Sequence, residues 1–236
     1  MKKFNYQLAG DNGIHFYPIG QVNDLNDILI SWFKNSPPVG VIDIIPSLVN
    51  LLVIFDSNKI TSEILIDYVE NLDFGNIVLE KKKLYHWEIP ICYEKIYGLD
   101  LSYISEKCNL TERNIINLHQ QNIYQVCMMG FLPGLPFLSE LDPKLKLPRR
   151  SNPRTLVPSG SIGIAINQSV IYPQDSPGGW NIVGRTPVSI FDQRKENSIL
   201  LSIGDRITFR RITAEEFEEI FNLNQKSHVQ IKEIKI

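Results

Sequence analysis

Apolar and polar residues alternate over residues 4–8. A polar turn of Gly10, Asp11, Asn12 and Gly13 separates that run from a second at 14–17, which predicts a hairpin. The period then changes: Val22, Leu25, Ile28, Leu29, Trp32 and Phe33 recur at helical spacing, with Asn23, Asp24 and Asp27 suited to the first turn. Pro37 and Pro38 end that helix. Residues 41–45 and 48–55 are β-branched or apolar runs split by Pro46 and Ser47, and they predict two strands. Ile64, Leu65, Tyr68, Val69 and Leu72 form the stripe of a second helix, and a last strand is expected over 84–91. The order β, β, α, β, β, α, β fits an α+β unit of ferredoxin-like type, with helices on one face of an antiparallel sheet.

A new unit begins after Pro90. Asp100 is placed to cap a short helix through Lys107, and Thr111 with Glu112 to open another carrying Ile115, Ile116 and Leu118. Strand-like runs follow at 123–129, 162–166, 170–172, 180–183, 188–191, 199–202 and 207–211. Short strands punctuated by glycine and proline predict a barrel or sandwich. Thr213 and Glu216 have capping-box spacing, so a helix bearing Phe217, Ile220 and Phe221 closes the unit. The chain is expected to divide into an α+β domain over 1–88 and a β-rich domain over 89–236.

Residues 130–187 hold most of the prolines and half of the glycines, yet also carry Phe131, Phe137, Tyr172 and Trp180. A disordered segment lacks such residues, which offset the entropy of ordering, so the stretch reads as a rigid site built from loops. Arg149, Arg150, Arg154 and Arg185 lie among its turns against only Glu140, Asp142 and Asp175 as acids, on a chain of net charge -2. A local basic patch of this kind suits a small anion or an acidic partner better than nucleic acid.

Across 236 residues the hydrophobic content is 43%, a soluble globular composition. No run approaches the roughly 20 apolar residues of a membrane span, and Met1, Lys2 and Lys3 lead into no apolar signal core. Cys92, Cys108 and Cys127 form neither a zinc ribbon nor a CxxC pair, so a cytoplasmic location is expected. His15, His86 and His228 share no ligand spacing, and no metal site is expected. The chain has neither a GxxxxGK[ST] phosphate loop nor a GxSxG elbow, hence no self-contained ATP or serine-hydrolase site.

The candidate chemistry centres on Ser176, Pro177, Gly178, Gly179 and Trp180. The glycines allow positive φ or close approach to a ligand, and the indole offers a flat apolar wall. Arg185 can grip a carboxylate through two parallel hydrogen bonds, and Arg149, Arg150 and Arg154 either converge on the same anion or face a partner. The bland alternative is a structural turn with solvated arginines. His119 is a candidate general base, although a lone histidine ending an amphipathic helix is more often a cap or packed residue. Asp175 is a candidate base or a turn-fixing side chain, Gln168 and Tyr172 present polar groups from a hairpin, and Cys127 reads as core.

Taken together, GFLPGLPFLSELDPKLKLPRR, NPRTLVPSGSIGIA, IYPQDSPGGWNIVGRTP and Gly204-Asp205 resemble one family. It includes the B subunit of the bacterial ATP-dependent 5-oxoprolinase, proteins called allophanate hydrolase subunit 1, and a Kip-type inhibitor of a sporulation sensor kinase. The resemblance implies a small N-terminal α+β domain and a C-terminal cyclophilin-like β-barrel, similar to half of the carboxyltransferase module of urea carboxylase. It further implies a subunit that opens 5-oxo-L-proline to glutamate together with 5-oxoprolinase subunits A and C. ATP would be used by the complex, with no cofactor held by this chain alone. The resemblance favours the functional reading for Gly178, Gly179, Trp180 and Arg185 and leaves the Arg149-Arg150 pair open between a ligand site and a partner interface. The candidate substrate-binding set is Arg149, Arg150, Arg154, Gln168, Tyr172, Ser176, Gly178, Gly179, Trp180, Arg185 and Thr186, and His119 matches the family's Leu-His pattern. The alternative within the resemblance is a module that binds a sensor histidine kinase and inhibits its autophosphorylation; a peptidyl-prolyl isomerase would rest on the implied barrel alone. Ile166 and Asn167 stand where the family commonly has a glycine pair, a departure that bears on substrate identity more than on fold.

Overall fold

The computed structural model describes residues 3–19, 22–47, 49–73, 83–226 and 232–234. Met1, Lys2, Leu48 and His228, which enter the sequence reading, lie outside the described residues. The chain divides into two compact units, residues 1–83 and 84–236.

In the first unit, β1 (Phe4–Leu8), β2 (Gly13–Pro18), β3 (Val41–Pro46) and β4 (Leu51–Phe55) form an antiparallel sheet of order β1-β2-β4-β3. Helices α1 (Val22–Asn35) and α2 (Ser62–Glu70) complete the ββαββα order. Strand β4 alternates between buried and half-buried positions, as one covered face requires. Its Leu51, Val53 and Phe55 pack with Ile14, Phe16, Leu29 and Leu65. Thr61 caps α2, its hydroxyl accepting from the Ile64 amide at 3.4 Å.

The strand expected over 84–91 is β5 (His86–Cys92) and belongs to the sheet of the second unit, because it pairs in parallel with β13 (Arg206–Ile212) along its whole length. Between them in sequence come α3 (Leu101–Cys108), α4 (Glu112–Gln121), β6 (Tyr124–Met129), β7 (Pro136–Leu138), a 3-10 turn at Pro143–Leu145, β8 (Arg154–Val157), β9 (Ser161–Ala165), β10 (Gln168–Ile171), β11 (Ser176–Gly178) and β12 (Asn181–Arg185). The strands run β12-β9-β10-β7-β6-β13-β5, and the Arg185–Cys92 pairing returns β12 to β5, closing a seven-stranded barrel. β14 (Lys232–Ile234) adds to β5, and α5 (Ala214–Lys226) follows β13. An α+β layer followed by a closed β-barrel is thus the observed architecture. The Thr213–Glu216 capping box forms as expected, each residue's amide donating to the other's side chain at 2.9 and 3.2 Å.

Two expected strands are absent: residues 188–191 and 199–202 share only one bridge, Phe191 to Ile199. Four short strands, β7, β8, β11 and β14, were not anticipated, since three or four residues leave no readable alternation. Strands β9, β10 and β12 are buried on both faces. Ile162, Ile164, Ile171 and Val183 enter the main barrel core, whereas Ala165, Val170 and Ile182 join Trp180 and Tyr172 in a separate cluster. Because side chains alternate across a strand, that second cluster lies on the opposite face of the same three strands. The candidate site is built there.

Candidate functional site

The outer face of β9, β10 and β12 is covered by the β8–β11 pair and by the turn that leads into β7. Between them is a cavity of about 220 Å³, walled by Phe131, Leu135, Phe137, Val170, Tyr172 and Trp180, with Arg149, Arg150, Pro153, Gly178 and Gly179 at its edge. Trp180 is seated closely. A Cβ on Gly163 would come 2.7 Å from the Trp180 Cβ, so only glycine fits beneath the indole. Phe137 meets the indole edge-on, with centroids 6.0 Å apart. Gly178 has negative φ; its requirement is steric, since a Cβ there would sit 2.3 Å from the Tyr172 hydroxyl. Burial raises the Tyr172 phenol above its ordinary value, while the Trp180 backbone and the charges of Arg149 and Arg154 act the other way. Phe131 lies at the mouth, 73% exposed and at φ 71, a conformation that bulky residues seldom adopt.

The four arginines separate into distinct roles. Arg149 is exposed, and its guanidinium lies 5.3 Å from the Trp180 ring centroid. Among the described residues it has no acidic partner. Arg150 and Arg154 both turn to Asp100, a carboxylate that is 3% exposed. Asp100 Oδ1 accepts from Arg150 Nη1 and Arg154 Nη2, each at 2.7 Å; its Oδ2 accepts from Arg154 Nη1 at 2.8 Å and from the Ile182 amide at 2.7 Å. Asp100 therefore does not cap α3 with its side chain, contrary to the expectation from sequence. It neutralises two cations that would otherwise face each other in a confined space. The Nε of Arg150 remains buried without a partner.

Arg185 is not brought to this cavity. Its Nε donates to the Ser159 carbonyl at 2.7 Å, and its guanidinium stacks over Phe217 and Phe221 of α5. The five-residue spacing from Trp180 carries the side chain along β12 toward the barrel seam, where Arg185 pairs with Cys92. His119 is likewise elsewhere: fully buried, stacked 4.8 Å from Phe209, with Nδ1 2.8 Å from the Tyr93 hydroxyl. Burial lowers its pKa to about 3, so it is a neutral core residue. Asp175 takes the turn-fixing alternative, accepting from the Ser159 amide at 2.7 Å. Thr186 accepts from the Val188 amide within its own turn. Ser176 is buried in β11 and lines no part of the cavity. Gln168 reaches the Cys127 sulfur at 3.5 Å, also outside the cavity, and burial raises that thiol.

Of the expected set, Arg149, Arg150, Tyr172, Gly178, Gly179 and Trp180 meet at one place, with Arg154 behind them. Sequence reasoning named Phe131 and Phe137 only as apolar members of the 130–187 stretch and missed the roles of Pro153 and Asp100. The available signal for Asp100 was the local excess of arginine, which requires a countercharge from elsewhere in the chain. Among the described residues, no group of three His, Cys, Asp or Glu side chains could hold a metal ion.

The carboxyltransferase domain, subdomain C and D, matches residues 19–201. The B subunit of a 5-oxoprolinase from Bacillus subtilis is 30% identical over 215 residues, covering 84% of this chain and 86% of that protein. Its counterpart from Escherichia coli O157:H7 is 37% identical over 172 residues, covering 72% and 77%. The crystal structure of the urea carboxylase of Kluyveromyces lactis superposes with a TM-score of 0.79 at 23% identity, which bears on the fold alone. That superposition covers 98% of this chain and 24% of the urea carboxylase. A domain match over most of the sequence, joined to similarity along most of the length of two 5-oxoprolinase B subunits, places this chain in the carboxyltransferase subdomain C and D family, alongside those B subunits.

Proposed function

We propose that this chain is a subunit of an ATP-dependent 5-oxoprolinase, inactive alone, and that its outer barrel cavity receives the carboxylate-bearing lactam. The observation that carries this reading is Arg149: a cation without an acidic partner among the described residues, held over an indole at the edge of a small, mostly apolar cavity. A flat five-membered ring suits the wall formed by Trp180 and Phe137. Its carboxylate suits the Arg149 guanidinium. The names of the 5-oxoprolinase relatives point the same way.

Amide resonance makes lactam hydrolysis unfavourable, and coupling to ATP overcomes it. Phosphoryl transfer from ATP to the lactam oxygen activates the carbonyl carbon; one water adds there, the ring C–N bond breaks with the nitrogen leaving as the amine, and a second water hydrolyses the resulting acyl phosphate to glutamate and phosphate. Neither candidate base reaches the cavity, because His119 is in the core and Asp175 holds a turn. This chain therefore binds and orients, and subunits A and C supply the ATP site and the base. The test is 5-oxo-L-proline-dependent ATP hydrolysis by the chain mixed with subunits A and C, each omitted in turn. Activity that requires all three supports the proposal. Turnover by this chain alone, or none from a fully assembled mixture, overturns it.

A further inference from the structure

Arg149 is a long, exposed side chain, and such a group loses rotamer freedom when it is held in place. Its backbone is fixed from both sides. The Asn181 side-chain amide donates to the Pro148 carbonyl at 2.9 Å, and the Arg150 backbone amide donates to the Gly179 carbonyl at 2.7 Å. The Arg150 side chain is in turn tied to Asp100, which also accepts from the Ile182 amide and both Nη atoms of Arg154. These anchors reach residues 179–182, on both sides of Trp180, so guanidinium and indole share one frame.

We propose that Asp100 is a positioning residue: it holds Arg149 over Trp180 through Arg150 and Arg154, without touching the ligand itself. Its meaning for substrate binding rests on the carboxylate reading above, but the placement of Arg149 does not. An asparagine at 100 presents a neutral amide whose NH₂ faces guanidinium donors. Two cations then lose their shared countercharge, and the side chains of Arg150 and Arg154 lose the anchor that holds the segment beyond its two backbone contacts.

The full chain supplies two readouts. In the NMR spectrum, the Arg149 Nε–H resonance, to be identified by its loss in Arg149→Gln, is expected to be displaced by the ring current of Trp180, whose centroid lies 5.3 Å from the guanidinium. In Asp100→Asn this resonance is expected to move to the position of a solvated arginine, while the amides of β5 keep theirs. An unmoved resonance overturns the proposal. For 5-oxo-L-proline, Asp100→Asn is expected to weaken binding about tenfold in the parent and less than twofold in an Arg149→Gln background. Equal losses in both backgrounds would mean that Asp100 acts independently of Arg149, which also overturns it. A parent chain that binds no 5-oxo-L-proline defeats the carboxylate reading, and the resonance then decides the role of Asp100. If Asp100→Asn does not fold, Arg154→Lys keeps the charge but loses the two-pronged grip; it should shift the Arg149 resonance the same way, and no shift overturns the proposal.

Discussion

Arg149 and His119 show how burial assigns roles to residues that look alike in sequence. Arg149 lies where water and a cavity meet, so its charge is available to a ligand. His119 lies where no water reaches, and desolvation holds it neutral. This has a consequence for stability. With a folded pKa of about 3 against an ordinary 6.5, the unfolded chain binds the proton first as pH falls. The contribution is fully present above pH 6.5 and is lost toward pH 3, at about 1.4 kcal/mol per pH unit within that window. Denaturant midpoints measured between pH 7 and 5 should fall in the parent, and the fall should be shallower in His119→Phe. Parallel pH profiles would contradict the assignment.

Among the elements, β9 is constrained on both faces. It presents Ile162 and Ile164 to the barrel core and Gly163 to Trp180, so one strand serves both clusters. Gly163→Ala would force a Cβ to 2.7 Å from the Trp180 Cβ, an atom close to the main chain that cannot swing away. A loss of about 1–3 kcal/mol in unfolding free energy, with weakened 5-oxo-L-proline binding, is expected from chemical denaturation and titration. Unchanged values for both would show that the strands can separate without cost. The hairpin leaving β9 turns at Ile166, a β-branched residue at φ 59 where glycine is favoured. Elements with long periods or capping boxes were legible in the sequence: α4 and α5 start where Thr111 and Thr213 predicted. Residues 188–191 and 199–202 were not, because apolar content alone does not decide between a strand and a packed loop.

For the whole molecule, the resemblance and the chain's own pattern agreed on an α+β unit followed by a β-rich one, and the closed barrel follows from the single Arg185–Cys92 pairing that no periodicity reveals. The site was half legible. Trp180, Tyr172 and the glycine pair stand out in any reading of 130–187, and they do line the cavity. Which arginine joins them depends on a countercharge dozens of residues away at Asp100, and only the fold shows that it claims Arg150 and Arg154. Arg185, the obvious candidate by spacing, is spent on Ser159 and the aromatic face of α5. The measurement that separates these two arginines is the KM for 5-oxo-L-proline of the proposed complex with subunits A and C, carrying Arg149→Gln or Arg185→Gln. Loss of a charge-assisted contact predicts a KM raised at least about tenfold for Arg149→Gln, and one within about twofold of the parent for Arg185→Gln. The reverse order would contradict the assignment of Arg149 to the ligand.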